Sequence, residues 1–323
     1  MDTRIAKYIM HSRGQTKPRY QETAVQAQRI GNTEIRKFDE ISRLPLEARW
    51  LFPTIDEAFV EANRHWLGPN LVEPGSTRLY MSFHSYIIRT RHHTILVDAC
   101  NGNHKQRPSM PAWNDLNTPY LANLASVGVR PEEVDIVLCT HLHADHVGWN
   151  TRLENGRWVP TFPNARYLMA RIEFEYLFEQ HRKHPETPVN RGSFEDSVLP
   201  IHEHGRAELV ELDHVVEREL GDGVWLSPAC GHTPGHVFVN VGDHGRERAV
   251  FAGDVIHHPI QFADPALSNL ADFDPRQAHD TRLGLMRRYA DTDTLLMTGH
   301  FPSPTAGRIV SHGDQFRFAF DRE

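Results

Sequence analysis

The chain has 323 residues, 39% of them apolar and 24% charged, with a formal net charge of −7. That balance excludes collagen-like, low-complexity and largely disordered chains, and the negative charge argues against a nucleic-acid partner. Three cysteines, Cys100, Cys139 and Cys230, make no paired disulfide framework, which points to the cytoplasm, and the longest apolar runs fall far short of the roughly 20 residues that a membrane span needs.

In chain order, residues 1–37 hold eight basic against three acidic residues and read as an arm, leaving a net −12 for the remainder. Trp50-Leu-Phe-Pro53, Phe59 and Trp66 predict that residues 1–77 form an extension packing on a core that begins at residue 78. Covering a sheet edge, shaping a pocket and building a homodimer contact are the roles expected of it. The aromatic and β-branched run 78–90 and the run 94–98 predict a β-hairpin. Leu121, Leu124 and Val127, closed by Gly128, predict a helix, and Pro131 opens the approach to a buried strand over 134–139. Strands are then expected at 166–169, 223–227, 237–241, 249–252, 294–297, 307–312 and 315–320, with helices over 170–184 and 276–289. Strands alternating with helices mark an α/β chain. The Pro- and Gly-bearing segment from Lys183 to Pro200 reads either as a lid or pocket wall, or as a solvated excursion.

The chemistry concentrates at strand ends. After Cys139 comes Thr140-His141-Leu-His143-Ala-Asp145-His146, three imidazoles and a carboxylate within six residues. In extended backbone alternate side chains share a face, so His141 and His143 reach one spot, while a tightening turn carries Asp145 and His146 to a neighbouring one. Three further strand ends offer Gly231-His232-Thr-Pro-Gly-His236, Gly253-Asp254 and Gly299-His300. Singly these are turn or cap residues, and His236 is expected to support the site rather than to ligate. Together they complete a set of imidazole and carboxylate donors suited to Zn2+ first, with Mn2+, Fe2+ or Co2+ as alternatives. The cysteines are read as core residues.

These motifs, in this order, resemble the metallo-β-lactamase superfamily over roughly residues 78–320, so that 78–323 is expected to be the catalytic domain. The resemblance implies an αββα sandwich of two mixed β-sheets flanked by helices, with two divalent metal ions at one sheet edge. It also implies the ligand division: His141, His143 and His232 on the first metal, Asp145, His146 and His300 on the second, and Asp254 bridging both with a water or hydroxide. The stretches 260–265 and 308–318 resemble the branch holding methyl parathion hydrolase and related lactonases. Two departures stand out: the family's early Asp-Thr-Gly is Asp98-Ala-Cys100 here, and quorum-quenching lactonases place a tyrosine where this chain has His257.

Two such cations would bring a bridging water towards ionisation at neutral pH. The expected function is therefore hydrolysis of a small, fairly apolar ester, lactone or phosphotriester. Asp254 and Asp145 are the expected catalytic carboxylates, Asp145 as a proton carrier. His257, three residues after Asp254, is expected at the wall of the substrate pocket, either to donate to the oxyanion or to orient Asp254 or His300. Trp149 is the expected apolar pocket wall, with Phe174 and Phe178 as weaker candidates because their helical spacing suits a core face. A mononuclear iron dioxygenase and a non-catalytic metal- or ligand-binding protein are the competing readings.

Overall fold

The computed structural model of the protein describes residues 27–217, 223–243 and 245–321; most of the basic arm lies outside them. The first nine strands are β1 (Gln28–Ile30), β2 (Thr33–Leu46), β3 (Leu79–Arg89), β4 (Thr94–Val97), β5 (Ile136–Leu138), β6 (Thr151–Glu154), β7 (Arg157–Pro160), β8 (Arg166–Ala170) and β9 (Ala207–Val210). All but the β6–β7 hairpin join one sheet in the order β1-β2-β3-β4-β5-β8-β9. It is antiparallel from β1 to β4 and parallel from β4 to β9. The short β5 is apolar and buried along its whole length, as a strand inside a parallel ladder covered on both faces should be.

The second sheet follows chain order: β10 (Val215–Glu217), β11 (Gly223–Pro228), β12 (Val237–Asp243), β13 (Arg246–Phe251), β14 (Leu295–Met297), β15 (Ala306–His312) and β16 (Gln315–Phe320). Its pairs are antiparallel except β13–β14, which helix Pro275–Tyr289 connects in the crossover that a parallel pair requires. That helix starts on Pro275, with the Asp274 carboxylate accepting from the Arg276 and Gln277 amides.

Between the sheets lies a core of aliphatic side chains, Ile88, Ile95, Val97, Ile136 and Leu138 facing Val224, Val239, Val241 and Leu295. The outer face of the first sheet is covered by helices Tyr120–Ser126 and Arg171–Lys183, and that of the second by Pro275–Tyr289. The chain is thus the αββα sandwich of two mixed sheets that its motifs imply. Among the described residues no helix is long and apolar enough to cross a membrane.

Sequence reading misses β2, the longest strand, and helix Glu57–Leu67. Its periodicity is masked because Lys37, Asp39 and Glu40 are buried charges within the strand. Lys37 pairs with Asp39 at 2.6 Å, and Glu40 is consumed by the loop after β4, so positions that read as solvent-facing turn inward. β2 pairs with β3, and the Glu57–Leu67 helix packs with Ile41, Leu51, Phe52, Phe83 and Trp113 in a separate apolar cluster.

Candidate metal centre

The loops following β4, β5, β11, β13 and β14 meet at one edge of the sandwich. Asp98, at the end of β4, adopts a left-handed φ of 56°. From there its carboxylate accepts from the Thr140 amide and hydroxyl, each at 2.8 Å, and lies 2.9 Å from His146 Nδ1. One carboxylate therefore ties two loops together and orients an imidazole. Glycine is required where the loops touch: a Cβ on Gly148 would sit 1.8 Å from the Asn101 carbonyl oxygen, and one on Gly253 (φ 49°) 2.5 Å from His236 Nε2. Glu173, buried at the start of its helix, accepts from Leu142 N, Gly235 N and Thr233 Oγ1 and so joins the loops after β5 and β11. Burial raises its pKa, the donors opposing it.

Seven side chains named from the sequence converge here. His141, His143, His232 and Asp254 offer one donor atom each within 4.8 Å of one another, and Asp145, His146 and His300 do the same beside them. Asp254 divides its oxygens between the groups. Oδ1 is 3.2 Å from His146 Nε2 and 3.0 Å from His300 Nε2, while Oδ2 is 3.3 Å from His232 Nε2 and 3.7 Å from His141 Nε2. Burial works to raise the Asp254 pKa but is outweighed by His300, His146, His257 and His141, which hold it well below the usual carboxylate range.

The imidazoles are anchored from behind. His232 Nδ1 is 2.8 Å from Asp272 Oδ1, His300 Nδ1 donates to the Ser82 carbonyl at 3.0 Å, and His141 Nδ1 faces Thr140 Oγ1 at 3.2 Å. Such outer partners fix the ring and leave the inner nitrogen as a lone-pair donor. His141 Nε2, His146 Nε2 and Asp254 Oδ1 are buried without a hydrogen-bond partner. Buried polar atoms are seldom orphaned, and lone-pair donors so arranged fit divalent cations. Burial lowers the His141 and His143 pKa values well below the usual range, keeping both neutral as ligation demands.

Two other residues meet the cluster without joining either group. His236 accepts from the Asp254 amide through Nε2 at 3.0 Å and stacks on His141, a supporting position as expected. His257 places Nε2 3.2 Å from Asp254 Oδ2, and its ring lies parallel to that of His300 at 5.9 Å.

The expected pocket wall is a correction. Trp149 stacks on Tyr120 at 4.8 Å and donates through Nε1 to Glu40. The indole is core because Glu40, a buried carboxylate on β2, needs donors. Phe174 is buried against Phe194 and His202, and Phe178, stacked on Phe174, is partly exposed on the outer side of the same helix. The apolar side chains at the cluster are instead Phe83, edge-on to His300 at 5.1 Å, Trp113, edge-on to Phe83 at 5.5 Å, and Phe52, edge-on to His257 at 6.5 Å. The aromatic run 78–90 and Trp50-Leu-Phe-Pro53 hint at two of them; nothing in the spacing points to Trp113 or to Asp272.

The sequence profile described as Metallo-beta-lactamase superfamily matches residues 84–315. The chain belongs to that superfamily. Within the metallo-beta-lactamase superfamily it is a lactonase-like metal-dependent hydrolase. The N-acyl homoserine lactonase AiiB of Agrobacterium fabrum is 28% identical over 282 residues, covering 80% of this chain and 93% of that protein. AiiA of Bacillus thuringiensis subsp. kurstaki, another N-acyl homoserine lactonase, is 23% identical over 257 residues, 75% of this chain and 91% of AiiA. Among solved structures, the hydrolase AbOPH superposes with a TM-score of 0.74 at 22% identity, covering 94% of this chain and 99% of AbOPH. AidC, a dizinc quorum-quenching lactonase in complex with a product, has a TM-score of 0.72 at 18% identity, covering 93% of this chain and 98% of AidC. At these identities the two structures speak for the fold.

Proposed function

We propose that the chain is a dinuclear metallohydrolase that opens a lactone or cleaves a related small ester, with His141, His143 and His232 holding one divalent cation, Asp145, His146 and His300 the other, and Asp254 bridging them. The observation that carries this reading is the division of the Asp254 oxygens between two imidazole groups, in each of which one inner nitrogen, that of His141 or of His146, is buried without a hydrogen-bond partner. The lactonases among its relatives support the choice of a cyclic or acyclic ester. When bound, two such cations supply Lewis acidity for a carbonyl oxygen and a water acidic enough to attack at neutral pH.

The chain's own residues do the rest. Asp98, Asp272, Thr140 and the Ser82 carbonyl set the tautomers of His146, His232, His141 and His300. His257 acts as a positioning residue, donating from Nε2 to Asp254 Oδ2. Asp145, with His143, is the member of the cluster left partly open to solvent, so its carboxylate takes the proton of the attacking water and returns it to the leaving alkoxide oxygen. Phe52, Phe83 and Trp113 pack an apolar layer against His257 and His300.

The test is a hydrolysis screen of metal-analysed protein across lactones, aryl esters, phosphotriesters and β-lactams. Lactones or aryl esters turned over fastest support the reading. Turnover confined to phosphotriesters or β-lactams overturns the substrate class, and no turnover by protein carrying two metals overturns the hydrolase.

A further inference from the structure

The segment that reads as either a lid or a solvated excursion enters the site. Asn190 (φ 48°), Arg191 (φ 59°) and Gly192 (φ 88°) form three consecutive left-handed residues. Bulky side chains rarely adopt this conformation, and runs of it persist only where the surroundings enforce it. Here they do: Asn190 Nδ2 donates to the Leu142 carbonyl inside the metal loop, Ser193 Oγ donates to the Asn190 carbonyl, and Arg107 grips Asp196 with two bonds of 2.7 and 2.8 Å just beyond the turn.

The enforced turn delivers the Arg191 side chain. Its guanidinium lies over Trp113, 5.9 Å from the ring centroid, on the aromatic wall that runs through Phe83 to His300. It is close enough to interact electrostatically with Asp145 and His143, the two members of the cluster that are not fully buried. It makes no hydrogen bond or ion pair with any described residue, although Arg107 and Arg282, the other deeply placed arginines, each have several. A half-buried guanidinium that interacts with Asp145, a carboxylate the proposed dinuclear site claims as a ligand, lacks the planar acceptor its fork is built for.

We propose that Arg191 is a specificity-determining residue that binds a carboxylate carried by the substrate beside its scissile ester or lactone bond. This rests on the dinuclear hydrolase reading and names its substrate class: anionic esters or lactones in preference to their neutral isosteres.

The experiment compares 4-nitrophenyl hydrogen glutarate with its carboxamide analogue, using zinc-loaded protein and the Arg191→Gln and Arg191→Lys variants, with metal content and melting temperature measured on each. The wild type should prefer the anionic ester by about 10- to 100-fold in kcat/KM, the scale of a charge-assisted pair. Arg191→Gln should bring the two esters within about threefold of each other, chiefly through KM, and Arg191→Lys should fall between. Glutarate binding, followed by calorimetry, should weaken at least tenfold in Arg191→Gln at unchanged metal content. Equal losses on both esters, or glutarate binding unaltered by the substitution, overturn the assignment. If neither ester is hydrolysed by the metal-loaded wild type, the screen that includes lactones decides the hydrolase reading, and the glutarate titration still decides whether Arg191 is the anion-binding group.

Discussion

Asp272 illustrates how much of a metal site lies outside its ligands. Its carboxylate, buried and 2.8 Å from His232 Nδ1, keeps the proton on the outer nitrogen and the lone pair on the inner one, and Arg282 Nη2 lies 3.6 Å from its other oxygen. Asp272→Asn removes that charge while preserving the shape. Metal affinity, measured by chelator competition, should fall about 10- to 100-fold with little change in far-UV circular dichroism; affinity within about threefold of wild type would show that the ring is oriented by other means. Residue-level legibility follows the same division. The convergence of seven side chains is readable because turn-rich strand ends with tight His and Asp spacing have few alternative uses. Asp272, Trp113 and Arg191 are not readable, because each reaches the site through a loop fixed by long-range contacts, and Trp149 misleads because proximity in sequence to a metal loop does not set which way an indole faces.

At the scale of elements, the β6–β7 hairpin is locked to the chain by Lys105. Its Nζ donates to Thr151 Oγ1 at 2.6 Å and to the Asp196 carbonyl at 2.9 Å, and lies 3.5 Å above the Trp158 ring. Burial pushes the Lys105 amine down to about 7, with Arg107 adding to the effect and Asp196 opposing it. In the unfolded chain the amine keeps its proton well above that pH, so between pH 7 and 8.5 the unfolded state binds more protons and stability rises with pH. The rise is about 1.5 kcal/mol from this group. Denaturant unfolding at both pH values should show it in the wild type and show it reduced by that amount in Lys105→Met; equal slopes would contradict the assignment. A second element-scale device is Glu40, whose buried carboxylate on β2 accepts from Asn101 N, Gly102 N, Thr118 Oγ1 and Trp149 Nε1. Glu40→Ala strands those donors and should destabilise the fold by about 3 kcal/mol or more, measured by thermal unfolding; a loss below about 1 kcal/mol would mean that water replaces the carboxylate.

For the whole molecule, the layered α/β architecture is legible because strand and helix periods both recur from residue 78 onward. The first 77 residues resist reading for a physical reason: β2 carries its charges inward, so hydrophobic alternation, the main signal for a strand, is broken where the strand is most deeply placed. β2 nevertheless pairs with β3 along nearly its full length, and Phe52 packs against His257. Chain beginning at residue 78 should therefore expose the β3 edge and the aromatic layer beside His257 and His300, and be recovered as aggregate rather than as folded protein. A soluble, cooperatively unfolding product would show that the extension is dispensable.

The proposed dinuclear site depends on two groups of donors sharing Asp254. Metal analysis of purified wild type and Asp254→Ala, each with a circular dichroism spectrum, tests it most directly. Two equivalents of divalent cation per chain in the wild type, reduced to one or fewer in a folded variant that no longer hydrolyses a lactone or aryl ester, is the predicted result. A fully active wild type holding a single cation, or a folded Asp254→Ala retaining both, would contradict it.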